Sequence, residues 1–447
     1  MRKRQRGSIA SRRSRMLAGA VLGLLLAGAV TAPPAAAASP EPSGKTEVRA
    51  TLRVLDDLPA SSFSAPRVDD DGLSAPPAKK FFARDSSGGS ATQEPEDGGG
   101  AGTLADPPVP SPSQSITPEE CLGHDSSFSG RGWAKGRFAS CQGKRLWVQK
   151  VDCLIGSWFC SVAGNAYADM AVIHYTKNDS DFRDVLEVTY VGNWRVAGDV
   201  SGVPLTIGST CDVTSGGGSC TRDVGGTTRP VDSWVAQGTS FEYASFAQDG
   251  GAAPNALATA DLRWVATVVS DIGPSTQRSD PSQARCDRAS YLLRSGAGQG
   301  CVFPWAPTPT WTVDKTESPQ TAQNIWEAQN TPGTTQPPSS RPKAIPTVLH
   351  RSANATEIRR HRGVATRACT NFFPGKYPAP NTDCDEYPMA STREGAVNKA
   401  DGVRDYVVKP INRTDNQDAG TDLNRFYAAQ RIMGSDGWND AFQVRVP

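Results

Sequence analysis

Ten cysteines constrain this chain more than any other feature, and all of them lie at Cys121 or later. None forms a Cys-x-x-Cys pair, so disulfide bonds are favoured over a zinc site. Ten cysteines allow too many pairings for spacing alone to assign them. The pattern predicts a disulfide-containing protein of an oxidising compartment.

The N-terminus agrees with export. Residues 1–15 carry seven Lys/Arg and no acid, and an apolar run from Met16 to Val30 leads to small residues near Ala38. The run is too short for an ordinary membrane span, so residues 1–38 are predicted to be a signal peptide. A twin arginine at Arg12 and Arg13 leaves the export route open. We expect a secreted, extracellular protein with no membrane span in the mature chain.

Composition then divides the mature chain. Residues 39–118 are dense in Pro, Ser, Gly, Asp and Ala, which predicts a low-complexity tether or propeptide. Residues 119–275 alternate apolar and polar positions, as at Leu186, Val188 and Tyr190, and predict a β-rich domain with disulfides. Its tryptophans fit a buried core better than a wall- or sugar-binding surface, and its role stays unassigned.

Residues 285–447 predict a small α+β domain. A basic helix, "ATEIRRHRGVATRAC", precedes a strand, "GVRDYVVKPI". A turn, "NRTDNQDAG", a helix capped by Thr421 and a short terminal strand follow. From residue 341 onward the chain has 16 Lys/Arg against 12 Asp/Glu, whereas residues 39–340 carry a net negative charge. A basic last quarter is compatible with a polyanionic partner or with an ordinary mixed surface.

The segment "TDCDEYPMASTREGA", residues 382–396, crowds four carboxylates around a thiol: Asp383, Asp385, Glu386 and Glu394. Like charges repel unless a cation or protons offset them, and hard divalent cations favour carboxylate and amide oxygens. Asn416 and Asn424 offer such amides further along the chain. The residues themselves leave two hypotheses open, a metal site and a structural acidic loop.

The motifs "DCDEYPMASTREGA", "DNQDAG", "LNRFYAAQRI" and "FQVRV" resemble the secreted deoxyribonucleases of the NucA/NucB family. Longer relatives of that family are also similar at "RCD" and "GCVFPWAPTPT", so the resemblance spans roughly residues 286–447. It implies a metal-dependent DNA endonuclease without sequence preference, with a minimal ββα-metal-like fold and Mg²⁺ or Mn²⁺ as cofactor. DNA is the implied partner, and any cell-wall, inhibitor or immunity partner is unknown.

Site residues follow from the resemblance position by position. It implies catalytic roles for Asp385, Glu386 and Glu394, and metal ligation by Asp385, Asn416 and Asn424. The motif contains no histidine, so a carboxylate of the Asp385/Glu386 pair is the expected base, with His350 and His361 as outside candidates. The candidate DNA-binding residues in this part of the chain are Arg359, Arg360, Arg362, Arg367, Lys376, Arg393, Arg413 and Arg425, of which Arg393, Arg413 and Arg425 are the foremost.

This chain departs from the shorter family members at Cys384, where an arginine usually stands, and at Thr392, where they have a cysteine. Arg393, Arg404 or Arg413 could replace the missing arginine. Within the resemblance, the thiol is best explained by a Cys369–Cys384 bridge that closes the acidic loop, and a Cys286–Cys301 bridge is also expected. Two other functions compete: a nuclease toxin with an upstream delivery module, and a non-enzymatic extracellular binding protein with a structural metal loop.

Overall fold

The structure is a computed structural model. It describes residues 46–55, 115–124, 130–155, 159–176, 183–216, 219–222, 226–249, 256–292, 299–397, 402–434 and 440–447. The predicted signal peptide, residues 1–38, lies outside the described residues. The described residues fall in one compact unit, Lys45–Pro447. Among them, no helix is both long and apolar enough to cross a bilayer.

The upstream part of this unit consists of two antiparallel sheets. The strands of the first sheet are β1 (Thr46–Leu55), β2 (Trp133–Gly136), β3 (Ala139–Leu154), β4 (Cys160–Thr176), β5 (Asp184–Gly198), β7 (Ser219–Arg222) and β9 (Ser240–Asp249). Those of the second are β6 (Pro204–Ser215), β8 (Thr227–Pro230), β10 (Leu257–Ser270), β11 (Gly273–Arg278), β12 (Ser282–Asp287) and β13 (Gly300–Val302). The first sheet has the strand order β1-β3-β4-β5-β9-β7 with β2 beside β3, and the second has the order β13-β12-β10-β6-β8 with β11 beside β10. Two short helices accompany them, α1 (Pro118–Gly123) and α2 (Val231–Gln237).

Side chains of both sheets meet in one core. Val148 of β3 and Met170 of β4 pack with Ile207 of β6 and Trp264 of β10, all at 2% exposure or less. The alternation along these strands explains the arrangement, because every second side chain points to the same face. Trp264 is thus a core residue, in agreement with the predicted role of the tryptophans in this region.

The structure differs from the predicted segments at two places. Thr46–Leu55 lies within the predicted tether, yet it forms β1 and pairs along its whole length with β3. Its alternating apolar residues, including Ala50 and Leu52, enter the core, so this short stretch buries enough surface to be ordered. The second difference is at residues 282–302, where β12 and β13 continue the upstream sheet across the expected boundary near residue 285.

The C-terminal part combines short strands with three helices. Its strands are β14 (Thr310–Thr312), β15 (Val348–His350), β16 (Thr382–Tyr387), β17 (Val407–Asn412) and β18 (Ala441–Arg445), and its helices are α3 (Pro319–Asn330), α4 (Ala355–Phe372) and α5 (Arg413–Ala429). Strand β18 lies between β14 and β15, and β16 pairs antiparallel with β17. The predicted turn "NRTDNQDAG" is wrong, because α5 begins at Arg413, and the predicted cap Thr421 lies inside that helix. Asn412 caps that helix by accepting the backbone N–H groups of Thr414 and Asp415.

Five disulfides join the ten cysteines in pairs: Cys121–Cys141, Cys153–Cys160, Cys211–Cys220, Cys286–Cys301 and Cys369–Cys384. Both bridges expected from the sequence are therefore present. The Cys369–Cys384 bridge ties helix α4 to strand β16.

A buried ionic network joins the upstream and C-terminal parts. Asp440 accepts hydrogen bonds from Arg285 (Nη1 to Oδ1, 2.8 Å) and from Arg137 (Nη2 to Oδ2, 2.7 Å). Arg431 pairs with Asp287, and its carbonyl oxygen accepts a hydrogen bond from Arg285 Nη2 at 2.9 Å. All five side chains are almost entirely shielded from water. Buried ion pairs therefore connect the upstream part directly to the C-terminal part.

Candidate active site

A cavity of about 690 Å³ opens between β16 and helices α3, α4 and α5. Strand β16 contributes Asp383, Cys384, Asp385 and Glu386 to its wall, and α5 contributes Asn416 and Asn424 among others. The acidic segment and the two asparagines, separated by about thirty residues in the chain, thus share one cavity. Of the residues predicted as catalytic or metal-binding, all except Glu394 line this cavity.

Strand β16 distributes its side chains between two layers of helices. Cys384 bonds to Cys369 of α4, whereas Asp385 contacts Asn324 of α3 and Tyr387 contacts Gln329 of the same helix. Because side chains alternate along a strand, Glu386 shares the α4 side with Cys384. The two central acids therefore approach the cavity from opposite faces of one strand.

Asp385 is a buried carboxylate, 7% exposed. Its Oδ2 atom accepts a hydrogen bond of 2.9 Å from Asn324 Nδ2. Burial raises the pKa of Asp385 to about 8; the Asn324 hydrogen bond lowers it, and the charges of Glu386 and Asp415 raise it further. Among the residues that the structure describes, no Lys or Arg forms an ion pair with Asp385, so the carboxylate is a candidate for a proton or a cation.

Glu386 is half-buried, and its neighbourhood differs from that of Asp385. Burial raises its pKa to about 7, while the Arg362 guanidinium and the backbone N–H of Ala390 lower it. Arg362 lies on α4, is exposed and lines the same cavity. A carboxylate with a pKa near neutrality beside an arginine is suited to accepting a proton near a bound anion.

Helix α5 presents its amides to the cavity at regular spacing. Asn416, Gly420 and Asn424 are four residues apart, so they lie along one side of the helix, and all three line the cavity. Asn424 Nδ2 donates a hydrogen bond of 2.8 Å to the Gly420 carbonyl oxygen, which leaves Oδ1 for other contacts. Asp415, in the first turn of α5, caps α3 by accepting the backbone N–H groups of Gln320 and Thr321.

The donor set fits a hard divalent cation in part. Within the described residues, no cluster of three or more His, Cys, Asp or Glu side chains could hold a metal. A cation in the cavity would therefore depend on one or two carboxylates, on amide oxygens of Asn416 and Asn424, and on water. That composition resembles the ligand sets of Mg²⁺, which usually keeps several waters. Within the described ranges Asp385 has no ion-pair partner, and this observation favours a cation there.

Glu394 lies apart from the cavity lining. Its Oε2 accepts the His350 backbone N–H at 2.9 Å, and its Oε1 lies 2.7 Å from His350 Nδ1. These bonds fasten the loop after β16 to strand β15. The following Gly395 has a packing role, since a Cβ there would stand 2.2 Å from Nδ1 of the fully buried His361. Neither histidine lines the cavity.

Of the predicted DNA-binding residues, Arg362 lines the cavity, whereas Arg393, Arg413 and Arg425 lie outside its wall. Arg393, Arg413 and Arg425 all face solvent. Arg413 makes a half-exposed ion pair with Asp383 (Nε to Oδ1, 3.1 Å). Arg404, a second candidate for the missing arginine, donates from Nη1 to the Pro338 carbonyl oxygen at 2.9 Å.

Helix α3 is the part of the site that the sequence analysis missed. It supplies Asn324, which binds Asp385, and it supplies Thr321 and Ile325 to the cavity wall. Its sequence, "PQTAQNIWEAQN", contains no charged cluster that would mark it. One signal could have identified it: Asn324 lies among the apolar positions of an amphipathic helix. A buried amide needs a polar partner, so this position predicts a contact with another buried polar side chain.

The family model described as Deoxyribonuclease NucA/NucB matches residues 338–443 of this chain. No curated protein was found to match this chain. The matched range contains Asp385, Glu386, Asn416 and Asn424, whereas helix α3 precedes it. The C-terminal part of the chain therefore carries a domain of the deoxyribonuclease NucA/NucB family.

Proposed function

We propose that this protein is a secreted, metal-dependent DNA endonuclease that hydrolyses phosphodiester bonds without sequence preference. One observation carries the proposal. Within the matched domain, a cavity brings together two carboxylates of raised pKa, two asparagines and an arginine. Phosphodiester hydrolysis needs a base for water, charge stabilisation at phosphorus and help for the departing oxygen. The cavity contains residues of the types required for each task.

Asp385, Asn416 and Asn424 are the proposed holders of Mg²⁺ or Mn²⁺. When bound, such a cation supplies charge stabilisation at the phosphate and at the departing oxygen. Asn324 keeps one oxygen of Asp385 in place through its 2.9 Å hydrogen bond. The asparagines add neutral oxygens, so the site holds a cation without accumulating further negative charge against a phosphate.

Glu386 is the proposed general base. Its pKa of about 7 allows it to exist as a carboxylate at neutral pH and still accept a proton from water. Arg362, which lowers that pKa, is positioned to bind a phosphate oxygen at the cavity wall. It is the best-placed substitute for the arginine that shorter relatives have at position 384. Glu394 is proposed to act indirectly, by holding the loop after β16 through His350.

Exposed basic residues are proposed to bind the DNA backbone. Arg393, Arg413 and Arg425 are exposed, and none belongs to a motif that reads base edges. If contacts with phosphates supply most of the affinity for DNA, binding should weaken strongly with added salt and depend little on the DNA sequence. The antiparallel β16–β17 pair followed directly by α5 supports a ββα-metal arrangement. The five disulfides support an extracellular location.

The test is plasmid cleavage by the full chain, produced with its disulfides intact. Wild type is compared with Glu386→Gln and Asp385→Asn in Mg²⁺, in Mn²⁺ and in EDTA. Asp418→Asn is the matched control, because Asp418 is an exposed acid on α5 that does not line the cavity. We expect metal-dependent nicking that both site variants lose by at least about 100-fold, while the control keeps it.

Three results would contradict the proposal in different ways. Cleavage that persists in Glu386→Gln and Asp385→Asn would place the active site elsewhere or indicate a contaminant. Stabilisation by the metal without cleavage would favour the structural metal loop of a binding protein. Toxicity on cytoplasmic expression that a neighbouring gene product relieves would favour a toxin with an upstream delivery module.

A further inference from the structure

Gly420 occupies an unfavourable position for a glycine. It lies in the interior of α5, seven residues after Arg413 and nine before Ala429. Glycine weakens a helix interior, because its backbone loses more conformational freedom on folding than that of alanine. Its backbone angles do not require glycine either, since Gly420 is not among the residues with positive φ.

Packing offers no reason for the glycine. A Cβ at Gly420 would meet no atom within 4 Å outside the local helix backbone. By contrast, Gly395 is required by its contact with His361, and Gly434 by the backbone of Ala353. The fold would therefore accept an alanine at 420, and local stability would favour one. The space beside Gly420 is open because it belongs to the cavity.

Gly420 is placed between two proposed ligand residues. Asn416 and Asn424 stand one turn before and one turn after it on the cavity side of α5. A methyl group would project about 1.5 Å from the Cα atom into the space between them. We propose that Gly420 is a substrate-positioning residue, and that its bare backbone lets the DNA sugar–phosphate chain approach α5 between the two asparagines. This inference rests on the proposed nuclease function.

The proposal predicts effects of opposite sign on stability and on substrate binding. Gly420→Ala strengthens the helix, so Tm rises by about 1–3 °C. The added methyl holds the DNA backbone away from the site, so KM rises by about tenfold, whereas kcat changes less. Affinity for a fluorescent DNA duplex measured in EDTA falls by a similar factor. A residue that is merely structural would not change stability and binding in opposite directions.

The chain contains a matched control. Gly363 lies in the interior of α4, and a Cβ there would meet only Arg367 Nη1, at an ordinary contact distance of 3.6 Å. It is not part of the cavity wall. Gly363→Ala is expected to raise Tm in the same way and to leave KM and duplex affinity unchanged.

Wild type, Gly420→Ala and Gly363→Ala are compared as full chains. A raised Tm with weakened binding in Gly420→Ala alone supports the proposal. Unchanged KM and affinity in Gly420→Ala overturn it while leaving the nuclease function intact. A lowered Tm in Gly420→Ala overturns the premise that the fold accepts a methyl there. Inactive wild type removes the proposed function, and this inference with it.

Discussion

Asp385 and Glu386 combine burial with negative charge. Neither carboxylate makes an ion pair with any residue that the structure describes. Each charge is costly in such surroundings, and the cost is reduced by binding either a proton or a cation. This property links the stability of the domain to the function proposed for it.

The first prediction concerns pH. The pKa of Asp385 is about 8 in the folded chain, against an ordinary value of 3.8. Between these values the native state holds a proton that the unfolded state has lost, so the free energy of unfolding falls as pH rises from about 4 to 8. The slope for one such group is about 1.4 kcal/mol per pH unit. Urea titrations in EDTA should show this loss, and Mg²⁺ should offset it more at pH 8 than at pH 5.

Two variants isolate that contribution. Asp385→Asn cannot lose the proton, so its free energy of unfolding should fall less steeply with pH than that of wild type. Asp383→Asn should keep the wild-type slope, because Asp383 is half-exposed and paired with Arg413. Parallel pH profiles for Asp385→Asn and wild type would show that Asp385 titrates normally.

The second prediction concerns Asn324. Asn324→Ala removes the donor that holds Asp385 Oδ2, so kcat should fall by about tenfold or more, with a parallel weakening of Mg²⁺ binding by calorimetry. Asn330→Ala is the control on the same helix, because Asn330 is exposed and bonds only to the Trp326 carbonyl oxygen. Equal kcat and Mg²⁺ affinity in both variants would refute a positioning role.

At the scale of elements, β16 is held from both sides. Helix α3 binds it through Asn324 and Gln329, and helix α4 binds it through the Cys369–Cys384 bridge. This bracing matters because a two-stranded sheet is only marginally stable by itself. Precise placement of the acids therefore depends on two helices that are distant in sequence.

The third prediction tests the bridge. Replacing Cys369 and Cys384 by serine opens a loop with a sequence separation of 15. We expect a loss of about 3 kcal/mol in the free energy of unfolding, together with a clear fall in cleavage. The Cys153–Cys160 bridge is the control, since it closes a hairpin with a separation of 7 in the upstream sheet. Removing it should cost less stability and leave kcat unchanged.

At the scale of the molecule, the upstream sheets and the C-terminal part share charges. Burial raises the pKa of Asp440, but Arg285 and Arg137 outweigh this effect and bring the pKa below its ordinary value. Arg431, at the end of α5, adopts a positive φ of 46° and offers its carbonyl oxygen to Arg285. The upstream sheets thus help to hold the end of the helix that carries Asn416 and Asn424.

The fourth prediction concerns this network. Arg137→Ala leaves Asp440 buried with one arginine fewer and should cost about 3 kcal/mol or more in the free energy of unfolding. Arg145→Ala breaks a more exposed pair with Asp169 and should cost less than about 1 kcal/mol. The comparison is made by urea unfolding of full chains. Equal losses would show that the network does not join the two parts.

The buried ionic network also affects the stability of any fragment cut from the chain. A fragment of residues 285–447 keeps Arg285 but loses Arg137, and it both truncates β12 and removes its partner strand β10. We therefore expect that fragment to unfold more readily than the full chain. For this reason the cleavage assay uses the full chain.

The sequence by itself determined the properties that depend on local pattern. Alternation predicted the strand around Leu186, and the acidic motif with its later asparagines marked residues 382–424 as a candidate site. Both expected disulfides are present as well, although the family resemblance and not residue spacing implied the Cys369–Cys384 pairing. These signals can be seen in the sequence because side-chain periodicity and motif spacing are encoded by neighbouring residues.

Only the tertiary structure decided which residues meet. It showed that α5 begins at Arg413, because Asn412 acts as a helix cap in a segment whose composition suggests a turn. In the folded chain Asn324 contacts Asp385, whereas Glu394 lies outside the cavity wall. Thr46–Leu55 and residues 282–302 belong to the upstream sheets. The physical reason is that long-range packing selects among partners whose local sequence signals are equally acceptable, and no local pattern records that choice.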